Sequence, residues 1–324
     1  MKPIENRKHH YVPQMLLRNF ASEKREQLFA FDKWESRRFQ VAVKDAATER
    51  GYYAYKSEDE SGCAEEFFAH IEAMVAPTIK KIVTGRRLPK LSKKERHSLD
   101  RFAVAQMLRS KNHRAVHDHV GELMRDLAER EGTPEFKAWV GQPDPEVTKA
   151  GLIKNLRRDV PGFLPYIQNK DLLLYITDEL KPLLIGDSPL VRTNSGRDAR
   201  HQGTTGLANR GVEIYLPISP TLSLGLMCPS IGQMMREVAL AYGRQSPPIV
   251  FDYLLGLESN RPIKLIATNI DYLNSQQVSS AERYIYSGTD DFRLVEEMIN
   301  SDELLRRGSR VATNRLMPMI ESTL

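Results

Sequence analysis

Two adjacent histidines, His9 and His10, open a dense run of reactive side chains, "NRKHHYVPQMLLRNF" at 6–20. Successive side chains of an extended strand point to opposite sides, so only one of the two can face a given pocket. A neutral imidazole near its ordinary pKa can orient a water or stabilise a leaving group. Tyr11, Arg18 and Phe20 alongside would supply stacking and phosphate contacts to a nucleotide. The plainer alternative is an N-terminal arm packed by Tyr11, Leu17 and Phe20, with His10 bonded to backbone.

Carboxylates and amides follow at spacings that also bear on chemistry. Glu65 and Glu72 are seven residues apart. Two helical turns put both carboxylates on one face, about 10 Å apart along the axis. That is the separation class of the paired carboxyls that flank a water in inverting glycosidic hydrolysis. Exposed glutamates on a helix packed by its other side would show the same spacing. Gln106 and Arg109, at i and i+3, share a face. Gln106 interrupts an apolar stripe, and a buried amide needs partners, whether a base edge, a water or a loop. Arg109 can clamp a phosphate or pair with one of the glutamates. Asp187 ends an apolar run in "IGDSPLV", where a strand would fix an acid in place, although Asp-Ser-Pro is also an ordinary turn.

The remaining histidines are less specific. His113 and His117 stand at i, i+4 with His119 close behind, but no HExxH glutamate lies between them and no third ligand is identifiable. No metal and no cofactor are expected. Arg114 and His119 match the Arg-x4-His pattern of helical ribonucleases, a match that eight histidines and many arginines produce by chance.

The elements that must position these residues read as α+β: short N-terminal strands, long central helices, and a C-terminal mixed sheet with a closing helix. "QLFAFDKW", "RFQVAV" and "GYYAY" within 27–55 carry strand composition. Residues 63–83 have helical spacing, with Phe67, Phe68, Ile71, Val75 and Ile79 on one side and Pro77 as a bend or break. Ser92 and Glu95 form a capping box that starts a helix, continued or interrupted near Ser110. "GTPEFKAWVGQPDPE" (132–146) is the best candidate junction. A single unit over 1–324 is expected, with a possible subdivision into 1–131 and 147–324. Strand signals recur at 171–177, 181–193, 212–227 and 283–288. The polar, glycine-rich 195–211 reads as a lid or binding loop. "NIDYLNSQQVSSAE" reads as a helix, and "DDFRLVEEMINSDELLRR" as the closing amphipathic one.

Composition bounds the class further. A hydrophobic fraction of 41% with 27% charged residues belongs to a folded protein. Cys63 and Cys228 are far apart, without CxxC company, so neither a zinc site nor a disulfide framework follows. No signal-peptide core and no membrane-length apolar run is visible, so a cytoplasmic, bacterial setting is expected. The net charge of +5 is unevenly placed, with basic runs at 84–97, 109–119, 155–159 and 304–310. A basic face would attract nucleic acid, and Lys111 and Arg114 within it are candidate contacts. Solvated helix faces would look the same. P-loop, dinucleotide and GxSxG motifs are missing.

"HYVPQMLLRNFA", "LFAFDK", "GYYAY", "EEFFAHIEAMVAP", "RFAVAQMLRS", "LLIGDSPLV", "IYLPISPTLSLGL" and "SSAERYIYSG" occur in an order that resembles the bacterial domain-of-unknown-function family 4238. The likeness spans nearly the whole chain, and the first motif is its most specific element. Matched residue by residue, it points to His10, Tyr11, Pro13, Arg18 and Phe20, then Glu65 and Glu72, Gln106 and Arg109, Asp187 and Ser188, and Pro217, Ser219 and Pro220. Asp187-Ser188-Pro189 stands where members often have Asp-Asn-Pro. The resemblance selects His10 as the pocket residue, leaving His9 as its solvent-facing neighbour. It also implies a setting in phage-defence neighbourhoods.

Three functions are compatible with these residues. Cleavage of an N-glycosidic bond needs an anion to stabilise an oxocarbenium-like sugar, a positioned water, and hydrogen bonds to the leaving base. His10, a carboxylate from Glu65, Glu72 or Asp187, and Gln106 would suffice without metal. Tyr11, Arg18, Arg109, Lys111 and Arg114 would grip nucleic acid, DNA first, around an extruded base. The expectation is therefore a hydrolase of DNA-glycosylase type. The alternatives are a nuclease, metal-dependent or of Arg-x4-His type, and a non-enzymatic nucleic-acid-binding module.

Overall fold

A computed structural model describes residues 7–22, 26–56, 60–141, 145–196 and 205–310. The N-terminal part contains β1 (Lys8–His10), α1 (Gln14–Phe20), β2 (Gln27–Asp32), β3 (Arg37–Ala42), β4 (Thr48–Arg50), β5 (Ala54–Lys56) and β6 (Ser61–Cys63). The helical middle is α2 (Glu65–Gly85), α3 (Lys93–Leu108), α4 (Lys111–Glu131), α5 (Pro134–Val140) and α6 (Pro145–Gln168). Strands β7 (Asp171–Ile176), β8 (Ile185–Gly186), β9 (Val191–Thr193), β10 (Glu213–Ser219) and β11 (Leu222–Met227) come next. The chain continues through α7 (Pro229–Tyr242), α8 (Pro248–Ser259), β12 (Ile263–Lys264), α9 (Ala267–Ser280), β13 (Tyr284–Ser287) and α10 (Arg293–Ser301). The class is α+β, with the order of strands, helices and mixed sheet that the sequence implies.

Local chemistry sets the helix boundaries nearest the site. The Glu95 N–H donates to the Ser92 hydroxyl at 3.2 Å, and the Ser92 N–H donates to the Glu95 carboxylate at 2.7 Å. This reciprocal capping box starts α3. The break near Ser110 is real: its hydroxyl accepts from the His113 N–H at 3.2 Å and caps α4. Phe68, Ile71, Val75, Ile79 and Ile82 form the buried stripe of α2, which continues through Pro77.

Other segments differ from expectation. "GYYAY" contributes only its last two residues to a strand, while Tyr52 and Tyr53 lie in a turn with both rings buried. Residues 145–168 form a long helix although Pro161 and Pro165 lie inside it. Helices α7 and α8 fall between the strand signals, in a stretch where the sequence reading named no element, each with proline at its first position, where the missing N–H costs nothing. The candidate junction at 132–146 includes α5, and residues 197–204 of the suspected lid lie outside the described residues.

Two larger sheets carry the fold. The first has the order β3-β2-β13-β8, so β13 near the end of the described chain pairs antiparallel with β2 near its start. One sheet thus draws strands from both sides of the candidate junction. The second has the order β12-β7-β11-β10-β9, mixed because β12 runs parallel to β7. Its strands alternate: Leu174, Ile214, Leu216, Leu224 and Leu226 enter the main core with α2 and α3. Leu173, Tyr175, Tyr215 and Met227 join a second core on the other side. Among the described residues no helix is long and apolar enough to cross a membrane.

Candidate active site

Strand β1 pairs with β4, His9 opposite Glu49 and His10 opposite Thr48, which turns the two imidazoles to opposite sides. The sides are the reverse of the expectation for His9. It is completely buried, and its ring stacks on Tyr53 at 5.5 Å. The Tyr53 N–H donates to His9 Nδ1 at 3.0 Å, and His9 Nε2 lies 3.1 Å from the Glu65 carboxylate. Burial holds the His9 pKa below its ordinary value, with Glu65 opposing that shift. In the neutral ring the proton must lie on Nε2, because Nδ1 accepts from backbone. The histidine thus donates to Glu65 and fixes its carboxylate at the start of α2.

Cys63 brings a third donor atom, its sulfur 3.8 Å from His9 Nε2, and the three ligand atoms lie within 4.8 Å of one another. The donor set does not suit a metal as it is folded. A metal on Nε2 would require the proton on Nδ1, where it would oppose the Tyr53 N–H. Burial also raises the Cys63 pKa, away from the thiolate a metal needs.

His10 faces a cleft of about 480 Å³ between the N-terminal arm and α2. Glu65 and Glu72 line it from α2, separated by the two turns that their spacing requires. Between and beyond them, Ala69, Ala73 and Ala76 keep that helix face low and leave the volume open. Gln14 and Arg18 of α1 form the opposite rim, and Tyr53 and Phe68 line the apolar part. The Tyr53 hydroxyl donates to the His10 carbonyl at 2.8 Å and holds the strand in place.

The protonation of His10 follows from its surroundings. Burial lowers its pKa below 6.5, more than the bond to the Val43 backbone and the Glu72 charge raise it. Nε2 is buried and has no hydrogen-bond partner among the described residues, so the proton of the neutral ring belongs on Nδ1, towards Val43. What remains at Nε2 is an unsatisfied lone pair in a cleft that Glu65 and Glu72 also line.

Glu72 is held from behind. Arg109 Nη1 donates to Glu72 Oε1 at 2.6 Å, and Arg109 Nε donates to Gln106 Oε1 at 2.9 Å. Gln106 Nε2 donates in turn to the Tyr11 carbonyl at 3.0 Å. The guanidinium lies over the Phe68 ring at 5.0 Å, and Nη2 has no hydrogen-bond partner among the described residues. Gln106 is the amide that breaks the apolar stripe of α3. It orients the arginine and ties it to the arm that carries His10.

The structure therefore brings His10, Glu65, Glu72 and Arg18 to one cleft, with Gln106 and Arg109 directly behind it. Asp187 is not among the lining residues. It is fully buried and accepts the backbone N–H groups of Glu282, Arg283 and Tyr284 at 2.7, 2.7 and 2.9 Å, tying the turn after β8 to β13. Tyr11 offers no free face: its ring is 2% exposed, packs on Tyr52 at 5.4 Å and lies under the Lys111 ammonium. Lys111 also pairs with Glu49, and Arg114 covers the Tyr52 ring at 3.8 Å while donating to the Tyr52 carbonyl. His119 pairs with Glu122 at 3.6 Å, so the Arg-x4-His residues serve different partners. Sequence reading missed Gln14, Tyr53 and the role of His9. The alanines at i, i+4 and i+7 from Ala69 were a usable signal for an open helix face.

These features define an α+β protein with an imidazole–carboxylate cleft closed by its own N-terminal arm. The family described as "Protein of unknown function (DUF4238)" matches residues 8–291, nearly the whole chain, and the protein belongs to that family. No curated protein and no solved structure matches it.

Proposed function

We propose that the cleft hydrolyses an N-glycosidic bond in nucleic acid, without metal, and that it takes in one extruded nucleoside at a time. The observation that carries this reading is the lone pair of His10 Nε2, buried without a partner among the described residues, in a cleft that Glu65 and Glu72 also line. A neutral imidazole in that position is a base that can orient and deprotonate a water. Glu72, held by Arg109, supplies the fixed anion that an oxocarbenium-like sugar requires. Glu65, held by the His9 N–H, can accept hydrogen bonds from the base, and the proton that His10 takes from water passes through solvent to the departing base. A volume of about 480 Å³ suits a nucleoside and excludes a stacked duplex, so the base must leave its helix first. Arg18 at the rim is the nearest phosphate contact. A role against foreign DNA is consistent with this chemistry.

The test is incubation of the full chain with single-stranded and duplex DNA, unmodified and base-modified, in EDTA. Free base by liquid chromatography and alkali-labile abasic sites are expected, and both should vanish in His10→Ala and Glu72→Gln. Intact DNA throughout, with salt-dependent binding that His10→Ala leaves unchanged, would replace the proposal by a binding module. Strand scission that requires Mg²⁺ would replace it by a nuclease.

A further inference from the structure

A second, larger cleft lies across the mixed sheet, on the face turned away from the main core. It encloses about 700 Å³, within the range of small-molecule sites. Its floor is Tyr175 of β7, Tyr215 of β10 and Met227 of β11, with the two tyrosine rings 5.7 Å apart. The floor depends on Gly225: a Cβ there would come within 2.5 Å of the Tyr175 ring, so only glycine lets that ring lie across β11. Helices α7, α8 and α9 close the sides with Met235, Tyr253 and Tyr272.

Two polar features point to an occupant. Tyr253 lines the cleft, and its hydroxyl is buried and has no hydrogen-bond partner among the described residues. A native protein seldom leaves such a group unsatisfied. Glu213 accepts from the Ser195 N–H at 3.2 Å, from the Ser195 hydroxyl and from the Tyr215 hydroxyl at 2.6 Å. All are neutral donors, and no cation among the described residues forms an ion pair with it. In a chain of net charge +5, this leaves an oriented carboxylate surrounded by four tyrosines. Glu237 and Arg210 also line the cleft, and Arg210 makes no ion pair with Glu213 among the described residues; aromatic faces with an oriented carboxylate among them are the chemistry that recognises an organic ammonium ion.

We propose that this cleft binds a small organic amine whose ammonium pairs with Glu213 and whose apolar or aromatic body lies over Tyr175 and Tyr215 against the methionines. The site is independent of the His10 cleft, being on the opposite face of the sheet.

Three probes matched in size test it on the full chain: 2-phenylethylamine, 2-phenylethanol and 3-phenylpropionate, with charges of +1, 0 and −1. Methyl-labelled methionine makes Met227, Met234 and Met235 reporters by NMR. The amine should shift these methyls saturably, the alcohol should bind about tenfold or more weakly, and the carboxylate should not shift them. Glu213→Gln, which keeps the shape, leaves one oxygen for Ser195, turns an NH₂ towards the Tyr215 hydroxyl oxygen and removes the charge, should bring the amine down to the level of the alcohol. Met234→Trp, at a position 49% exposed on the cleft wall, should block all three probes without disturbing the fold. Equal binding of alcohol or carboxylate, undiminished selectivity in Glu213→Gln, or no shift of these methyls at millimolar amine would each overturn the proposal. If Glu213→Gln fails to fold, the probe comparison on the unaltered chain and the Met234→Trp block decide it.

Discussion

Replacing Glu72 by glutamine keeps its shape and removes its charge, and the structure sets the expected cost. Its partner Arg109 is 3% exposed and donates to the side chains of Gln106 and Glu72. Breaking a buried pair from one side costs about 3–5 kcal/mol, because the other charge is left uncompensated. The Glu72 side chain is 28% exposed, so water partly compensates and about 3 kcal/mol is expected. Arg109→Met removes the buried charge but strips Gln106 of a donor, a loss of about 2 kcal/mol. In the double variant no buried cation remains, and its cost should be roughly 3 kcal/mol, about 2 kcal/mol less than the sum of the two. Urea unfolding of the four proteins, compared at a constant m value, measures that coupling. A coupling under about 0.5 kcal/mol would refute the view that Arg109 holds Glu72 as one electrostatic unit.

Other outcomes follow from the same contacts. Base release should hold steady as pH falls through 6.5 and decline only below it, because burial keeps His10 neutral; an acid limb above 6.5 in the pH–rate profile would contradict a buried, neutral His10 as the base. Stability should fall on the acid side through His113, whose pKa burial and Arg192 lower to about 4. Between pH 6.5 and 4 the unfolded chain binds a proton that the folded chain refuses. The loss as pH falls should therefore total roughly 3 kcal/mol, and urea titrations of His113→Gln should show a flatter curve. Asp187→Asn should lower stability by about 2–3 kcal/mol, since Oδ1 accepts one backbone N–H and Oδ2 accepts two, and whichever oxygen becomes an NH₂ then opposes a donor. Base release per folded molecule should be unchanged, and a selective loss of turnover would return Asp187 to the chemistry.

The spacing of Glu65 and Glu72, the capping box at Ser92 and the amide at Gln106 were legible in the sequence, and a break near Ser110 was one of two readings it allowed. Each is local: a helical period or a three-residue contact decides it. That His9 and His10 diverge was equally legible. Which of them turns inward was not, because Tyr53, more than 40 residues away, supplies both the ring stack and the N–H that bury His9. Asp187 shows the same limit. An aspartate at a strand end reads as a poised acid or a turn, and β13, nearly a hundred residues later, brings the three N–H groups that decide between them. Helix α6 was hidden by Pro161 and Pro165, whose lost hydrogen bonds tertiary packing tolerates.

The pairing of β2 with β13 sets a clock on synthesis. Residues about 250 apart must meet before the first sheet has its inner strand, so at 5–20 residues per second β2 emerges roughly 12–50 s ahead of its neighbour. Until then one edge of "QLFAFD" stays open, an apolar template available to any other nascent chain.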